Sequence, residues 1–178
     1  MMLSAILLAH PSRASGAARS AAQRREAVLR SLASLVDGCV QGLVGDAVLV
    51  GPTEDAGLAS IADEAGCELV AAQAPADALA QALVLARREG VLLLTSGYAV
   101  ERGFFEEIGD ALNFGDPAQA YVLRAAPRSL LTRLAPSLAE PAALVARKAA
   151  LKPGADDVPA LARGLRASEL FSRARQVV

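Results

Sequence analysis

The chain has 178 residues, a length that suits one domain with a sizeable core. Apolar residues make up 53% and mean hydropathy is +0.35, yet no stretch reaches the roughly 18 uncharged apolar residues of a membrane helix, so a soluble globular protein is expected. A net charge of −1 and a pI near 5.9 make no electrostatic case for nucleic acid, since the arginines fall in helical patterns with acids nearby.

No Lys or Arg precedes the apolar run in 1–9, which argues against a secretory signal and for a first strand over 4–9, central in a sheet. A loop follows at 10–16. Over 18–36, Val28, Leu29, Leu32, Leu35 and Val36 share one helical face, and Asp37-Gly38 is expected to end that helix. The run 47–50 reads as a second buried strand. Gly51-Pro52 breaks the extended pattern and Thr53 is placed to cap a helix over 54–65, with acids in its first turn, Leu58, Ile61, Ala62 and Ala65 along one side, and Gly66 closing it. A third strand is expected at 67–71. Pro75-Ala76-Asp77 opens a helix whose Leu79, Ala82, Leu83 and Ala86 line a face ending at Arg87, Arg88 and Gly90, and 91–95 is a fourth strand. Strands separated by helices of this length predict a three-layer α/β/α sandwich with a mainly parallel, mixed sheet.

Further on, 101–112 fits a helix burying Phe104, Phe105, Ile108 and Leu112, and 120–124 a short strand. A helix is predicted over 128–138 through Leu130, Leu131, Leu134 and Leu138, a strand over 142–146, and a last amphipathic helix over 158–174 using Leu161, Leu165, Leu170 and Phe171. An exposed apolar helix near the C-terminus would permit a homodimer. Cys39 and Cys67 have neither metal-ligand spacing nor the numbers of a disulfide framework, and reduced thiols in a bacterial-type cytoplasm are expected.

In open α/β sheets ligands bind outside the carboxyl ends of the strands, so 51–55 is the first place to expect one. His10, the only histidine, lies just past the first strand, where it is either a locally hydrogen-bonded loop residue or a ligand or proton-transfer group. The segment 14–20, with Arg13 and Arg19 at its ends, is suited to a phosphate at a helix start but has neither a Walker lysine nor the dinucleotide glycine pattern. Tyr98 is placed to stack on a base or to pack under the helix that follows. No Gly-x-Ser-x-Gly elbow exists, which excludes a serine hydrolase of that type.

Several stretches carry a resemblance. Leu3-Ser4-Ala5-Ile6-Leu7-Leu8, then Val48-Leu49-Val50-Gly51-Pro52-Thr53-Glu54-Asp55, Val91-Leu92-Leu93-Leu94-Thr95-Ser96-Gly97-Tyr98, Glu140-Pro141-Ala142-Ala143-Leu144 and Asp156-Asp157-Val158 follow one another as in the family 2 glycosyltransferases of GT-A fold. The sequence resembles their small bacterial members over nearly its whole length. The resemblance implies a nucleotide-sugar donor, Mg²⁺ or Mn²⁺, and an inverting displacement in which one carboxylate binds the nucleoside, a second holds the metal and a third takes the acceptor's proton. It places Gly51, Thr53, Asp55, Ser96, Tyr98 and His10 around the nucleotide, and Asp157 with Asp156 at the general-base position. Gly51 and Ser96-Gly97 stand where the first two carboxylates belong, so no metal ligand is assigned and catalysis is expected to be weak or lost. A non-catalytic nucleotide-binding or assembly domain of the same fold is the first alternative. A sugar-nucleotide nucleotidyltransferase is the second, although its glycine-rich signature is not found in 9–16.

Overall fold

The computed structural model describes residues 1–10, 20–116, 118–152 and 154–177; most of the expected 10–16 loop and of the 14–20 segment lies outside the described residues. In chain order the elements are β1 (Leu3–Leu8), α1 (Ala21–Val40), β2 (Val44–Gly51), α2 (Gly57–Ala65), β3 (Glu68–Ala71), α3 (Pro75–Leu85), β4 (Gly90–Thr95) and β5 (Tyr98–Ala99). They continue with α4 (Arg102–Phe114), β6 (Ala120–Ala125), α5 (Leu130–Leu134), a 3-10 turn (Pro136–Leu138), β7 (Pro141–Arg147), a second 3-10 turn (Lys148–Ala150), α6 (Val158–Gly164) and β8 (Ala167–Gln176). The strands join in the order β3-β2-β1-β4-β7-β6-β8-β5. The first four are mutually parallel, β7 runs antiparallel to both β4 and β6, and β8 is parallel to β6.

Alternation along the central strands sorts the core into two layers. Leu3, Ala5 and Leu7 of β1, with Leu92 and Leu94 of β4, face α1, α2 and α4; Ile6, Leu8, Val91 and Leu93 face α3 and α6. Helices cover both faces, giving the expected three-layer α/β/α sandwich. The one polar residue inside β1, Ser4, is buried but satisfied: its hydroxyl donates to Asp46 Oδ1 at 2.8 Å and accepts the Arg88 N–H at 2.9 Å.

Four expectations are corrected. Asp37-Gly38 does not end the first helix, which runs to Val40 and closes through Gln41 and the positive-φ Gly42. Gly38 lies within it because a Cβ there would sit 2.3 Å from the Phe105 ring, so the glycine lets α1 and α4 approach. The helix correspondingly buries Ala27, Val28, Ser31, Leu35 and Gly38, while Leu29 and Val36 are exposed. The second helix begins at Gly57 with no side-chain cap, leaving Thr53 exposed ahead of it and Glu54 and Asp55 outside its first turn.

The predicted 128–138 helix is two short turns, interrupted at Ala135, where the following Pro136 disfavours helical backbone. Its leucines are exposed rather than buried. The predicted 158–174 helix stops at Gly164, and 167–176 becomes β8, pairing with β6 and with β5. Leu170 and Ala174, four residues apart, satisfy a helical face and a strand face equally, so strand pairing decided the outcome. Phe171, expected to share the apolar helix face with Leu170, is instead exposed while Leu170 is buried.

Candidate functional site

The carboxyl ends of β1, β2 and β4 lie side by side, and β7, running the other way, begins at the same edge. Backbone bonds close the edge beyond the ladders: the Ala9 N–H donates to Val50 O at 2.7 Å and the Ser96 N–H to Leu8 O at 2.9 Å. His10 follows β1. Its Nε2 donates to the carbonyl of Ala72, past the end of β3, at 2.9 Å, so the imidazole bridges across the end of β2. Nδ1 is buried and has no protein partner among the described residues.

At the end of β2, Gly51 and Pro52 are buried and Thr53 is exposed. A Cβ on Gly51 would lie 2.3 Å from Cδ1 of the buried Leu58, so the packing of α2 against the strand requires a residue without a side chain here. An aspartate at this position would force Leu58 to repack. Asp55 is fully buried, and both its oxygens are engaged: Oδ2 accepts from Arg24 at 3.0 Å and Oδ1 from Arg25 at 2.8 Å. It fastens the start of α1 to the β2–α2 loop. Next to it, Ser20 and Gln23 form a reciprocal capping box that sets where α1 begins.

The turn after β4 is held from two directions. Gly97 takes the left-handed conformation, φ 91°, which favours glycine. Its N–H donates to the hydroxyl of the buried Ser31 at 2.9 Å, and that hydroxyl donates to Tyr98 O at 2.7 Å. Ser34, one helical step on, accepts the Val100 N–H at 3.2 Å, and the Gly97 carbonyl accepts the Val177 N–H at 2.9 Å. Ser31 and Ser34 escape a sequence reading because small hydroxyls on a helix look solvated; only their placement against a bent strand end gives them work.

On the other side of this tip stand three acids. Glu140, just ahead of β7, is half-buried and hydrogen-bonded by the Tyr98 hydroxyl; burial and then the nearby Asp157 charge push its pKa up, against that hydrogen bond. Asp157 is the N-cap of α6, accepting the Ala160 N–H at 2.7 Å, and Asp156 is half-buried beside it. Tyr98, Glu140 and Asp157 therefore meet at one edge of the sheet. An open groove of about 470 Å³ adjoins them between β6 and α6, lined by Val122, Arg124, Pro141, Pro159, Ala162 and Arg163 among others. Glu140 was legible only as part of a matching segment, because its significance comes from the approach of α6.

A divalent cation of the Mg²⁺ or Mn²⁺ kind needs several hard oxygen ligands. The turn after β4 carries Ser96 and Gly97 where such a group would require carboxylates, and no three His, Cys, Asp or Glu side chains among the described residues are grouped to hold a metal. These residues do not fit the ion. Burial pushes both thiols, Cys39 and Cys67, up, and Cys39 adds to the shift at Cys67, so neither is an activated thiolate.

No protein-family profile matches the sequence, and no curated protein is similar to it. Solved structures are. Glucosyl-3-phosphoglycerate synthase from Mycobacterium tuberculosis, in complex with Mn²⁺, uridine diphosphate and glucosyl-3-phosphoglycerate, superposes with a TM-score of 0.54 at 19% identity over 84% of this chain and 58% of that one. The same synthase with Mn²⁺, UDP-glucose and phosphoglyceric acid gives 0.53 at 20% identity over 84% and 58%, and a crystal structure of a mycobacterial protein gives 0.52 at 20% over 86% and 57%. The chain thus spans less than two thirds of the length of these neighbours. The likeness is one of fold: an α/β architecture with an eight-stranded mixed sheet, as in GT-A glycosyltransferases. Among the described residues no helix is long and apolar enough to cross a membrane.

Proposed function

We propose that the chain is a glycosyltransferase-like protein that binds a nucleotide or nucleotide sugar at the carboxyl ends of β1, β2 and β4, with catalysis weak or lost. The observation that carries this reading is the closed packing at the two strand tips. Gly51 is held side-chain-free by Leu58, and Gly97 is fixed in left-handed backbone by Ser31, so the edge keeps its shape while offering no carboxylate at either tip. The shared fold with a synthase bound to uridine diphosphate supports the choice of ligand.

In this reading His10, Thr53, Ser96 and Tyr98 surround the nucleotide through hydrogen bonds and stacking, and Asp55 acts through position, anchoring α1 beside the site. Asp157, backed by Asp156, is the group assigned to take a proton from an acceptor hydroxyl. Glu140 stands next to it with a raised proton affinity, which suits a neutral-pH base better than an unperturbed glutamate. No step is routed through a metal. The non-catalytic form of the same reading, a nucleotide-binding or assembly domain, is favoured by the same two glycines.

Thermal denaturation in the presence of UDP, GDP and their sugars, with and without Mn²⁺, tests the proposal. A ligand at a hundredfold its dissociation constant stabilises by about 2.7 kcal/mol, which for a chain of this size raises Tm by roughly 5–10 °C. Absence of any shift removes the donor site. If a nucleotide binds and turnover is measurable, Asp157→Asn should abolish turnover and leave nucleotide binding intact; equal turnover in the variant would end the catalytic assignment.

A further inference from the structure

The segment 126–139, in the connection between β6 and β7, carries four largely exposed leucines. Leu130, Leu131, Leu134 and Leu138 are 75%, 71%, 86% and 68% exposed, and neither α5 nor the 3-10 turn after it buries a single residue. Five residues of helix have no stability of their own in water. The turn is nonetheless carefully started: Ser129 and Thr132 form a capping box, and Arg128 is tied to Gln176 at the end of β8. A structured, capped element whose leucines are largely exposed is built to be covered by something else.

Its charge says by what. The segment 126–139 carries Arg128 and Arg133 and no acidic residue, with half-buried Glu140 directly after it, although the whole protein is slightly acidic. Arg133 is exposed and makes no ion pair within the described residues. A second copy of the chain seated on this patch about a two-fold axis would bring two positively charged surfaces together. Leucines flanked by arginines that make no ion pair among the described residues instead match the layered chemistry of an anionic bilayer, where apolar side chains enter the acyl boundary and guanidinium groups meet lipid phosphates. We propose that 126–139 is a peripheral membrane contact that rests on anionic lipid. Its position follows from the topology: it leaves the end of β6 and returns immediately before β7, at the edge of the sheet. The inference does not depend on nucleotide binding.

Flotation of the full chain with vesicles of phosphatidylcholine alone, and with about 30 mol % phosphatidylglycerol, tests it. Wild-type protein should float with the anionic vesicles and be released by salt. L131E/L134E should lower the bound fraction at least about tenfold by removing the inserted surface, and Arg133→Glu about fivefold or more on anionic vesicles alone. Both changes are at largely exposed positions, and unchanged melting temperatures establish that the variants fold. No flotation of wild-type protein, or equal flotation of L131E/L134E, overturns the proposal. So does a dimer in size-exclusion chromatography that L131E/L134E splits without vesicle binding, since the occupant is then a second copy.

Discussion

Replacing Gly38 by alanine sets two effects of opposite sign against each other, and the tertiary structure says which wins. In an isolated helix the change is favourable by about 1 kcal/mol, because glycine is the poorer helix former. Here the new Cβ would stand 2.3 Å from Phe105 Cε1 and 2.8 Å from both Cδ1 and Cζ, where carbon atoms prefer about 3.5–4.0 Å. Phe105 cannot swing into solvent: it is 1% exposed and packs edge-on against Phe104, with ring centroids 5.1 Å apart. Overpacking of this kind costs about 1–3 kcal/mol, and so short a contact puts it at the upper end. The net expectation is a loss of about 2 kcal/mol, or roughly 4–8 °C in Tm for a chain of this length. Urea and thermal unfolding of Gly38→Ala, Phe105→Leu and the double variant provide the measurement. The double variant should be more stable than the sum of the single losses, since the smaller side chain relieves the clash. A Gly38→Ala protein as stable as wild type, or more so, would refute the close approach of α1 and α4.

Three further outcomes are expected. Ser31→Ala strands the Gly97 N–H and the Tyr98 carbonyl in a buried turn, so stability should fall by about 2–3 kcal/mol and the Gly97 amide should exchange much faster; unchanged exchange would refute the clamp. Asp55→Asn removes the charge facing Arg24 and Arg25, and because both arginines retain some access to water the loss should be about 1–3 kcal/mol, read by urea unfolding at low salt; a neutral effect would mean the pair is not what anchors α1. Glu140 gives a pH signature: burial first and the Asp157 charge second raise its pKa above the usual 4.5, so it favours the folded state when protonated, and that stability is lost as pH rises through the raised value. The Tm of Glu140→Gln minus that of wild type should therefore become more positive between about pH 4 and 7, and a difference independent of pH would contradict the shift.

The opposite behaviour belongs to Glu107. Burial works against its charge, but the N–H groups of Phe171 and Ser172, at 2.6 and 2.9 Å, the Ser172 hydroxyl and Arg173 outweigh it and lower its pKa. Its contribution is present above the ordinary glutamate value and is lost as pH falls through the lowered one. It ties α4 to β8, the strand that the sequence reads as helix.

What the sequence by itself determined is the half of the fold built from strongly patterned local segments. The all-apolar run of β1, the buried run at the end of β2, Gly66 closing α2 and Pro75 opening α3 each carry their structure within a few residues, and together they specify a parallel sheet covered on both faces. The expectation that a ligand site lies at the carboxyl ends of these strands followed from that pattern. Only the tertiary structure decided the rest. Gly38 reads as a helix stop until Phe105 is packed against it; the spacing of Leu170 and Ala174 suits helix or strand until β6 offers a ladder; and the leucines of 128–138 read as the stripe of one helix until the tertiary structure leaves them exposed on two short turns. Ser31 and Glu140 gain their significance the same way. Each is ordinary within its own segment, and a carboxylate or hydroxyl changes its chemistry only when groups distant in sequence exclude water from it or hold it in place.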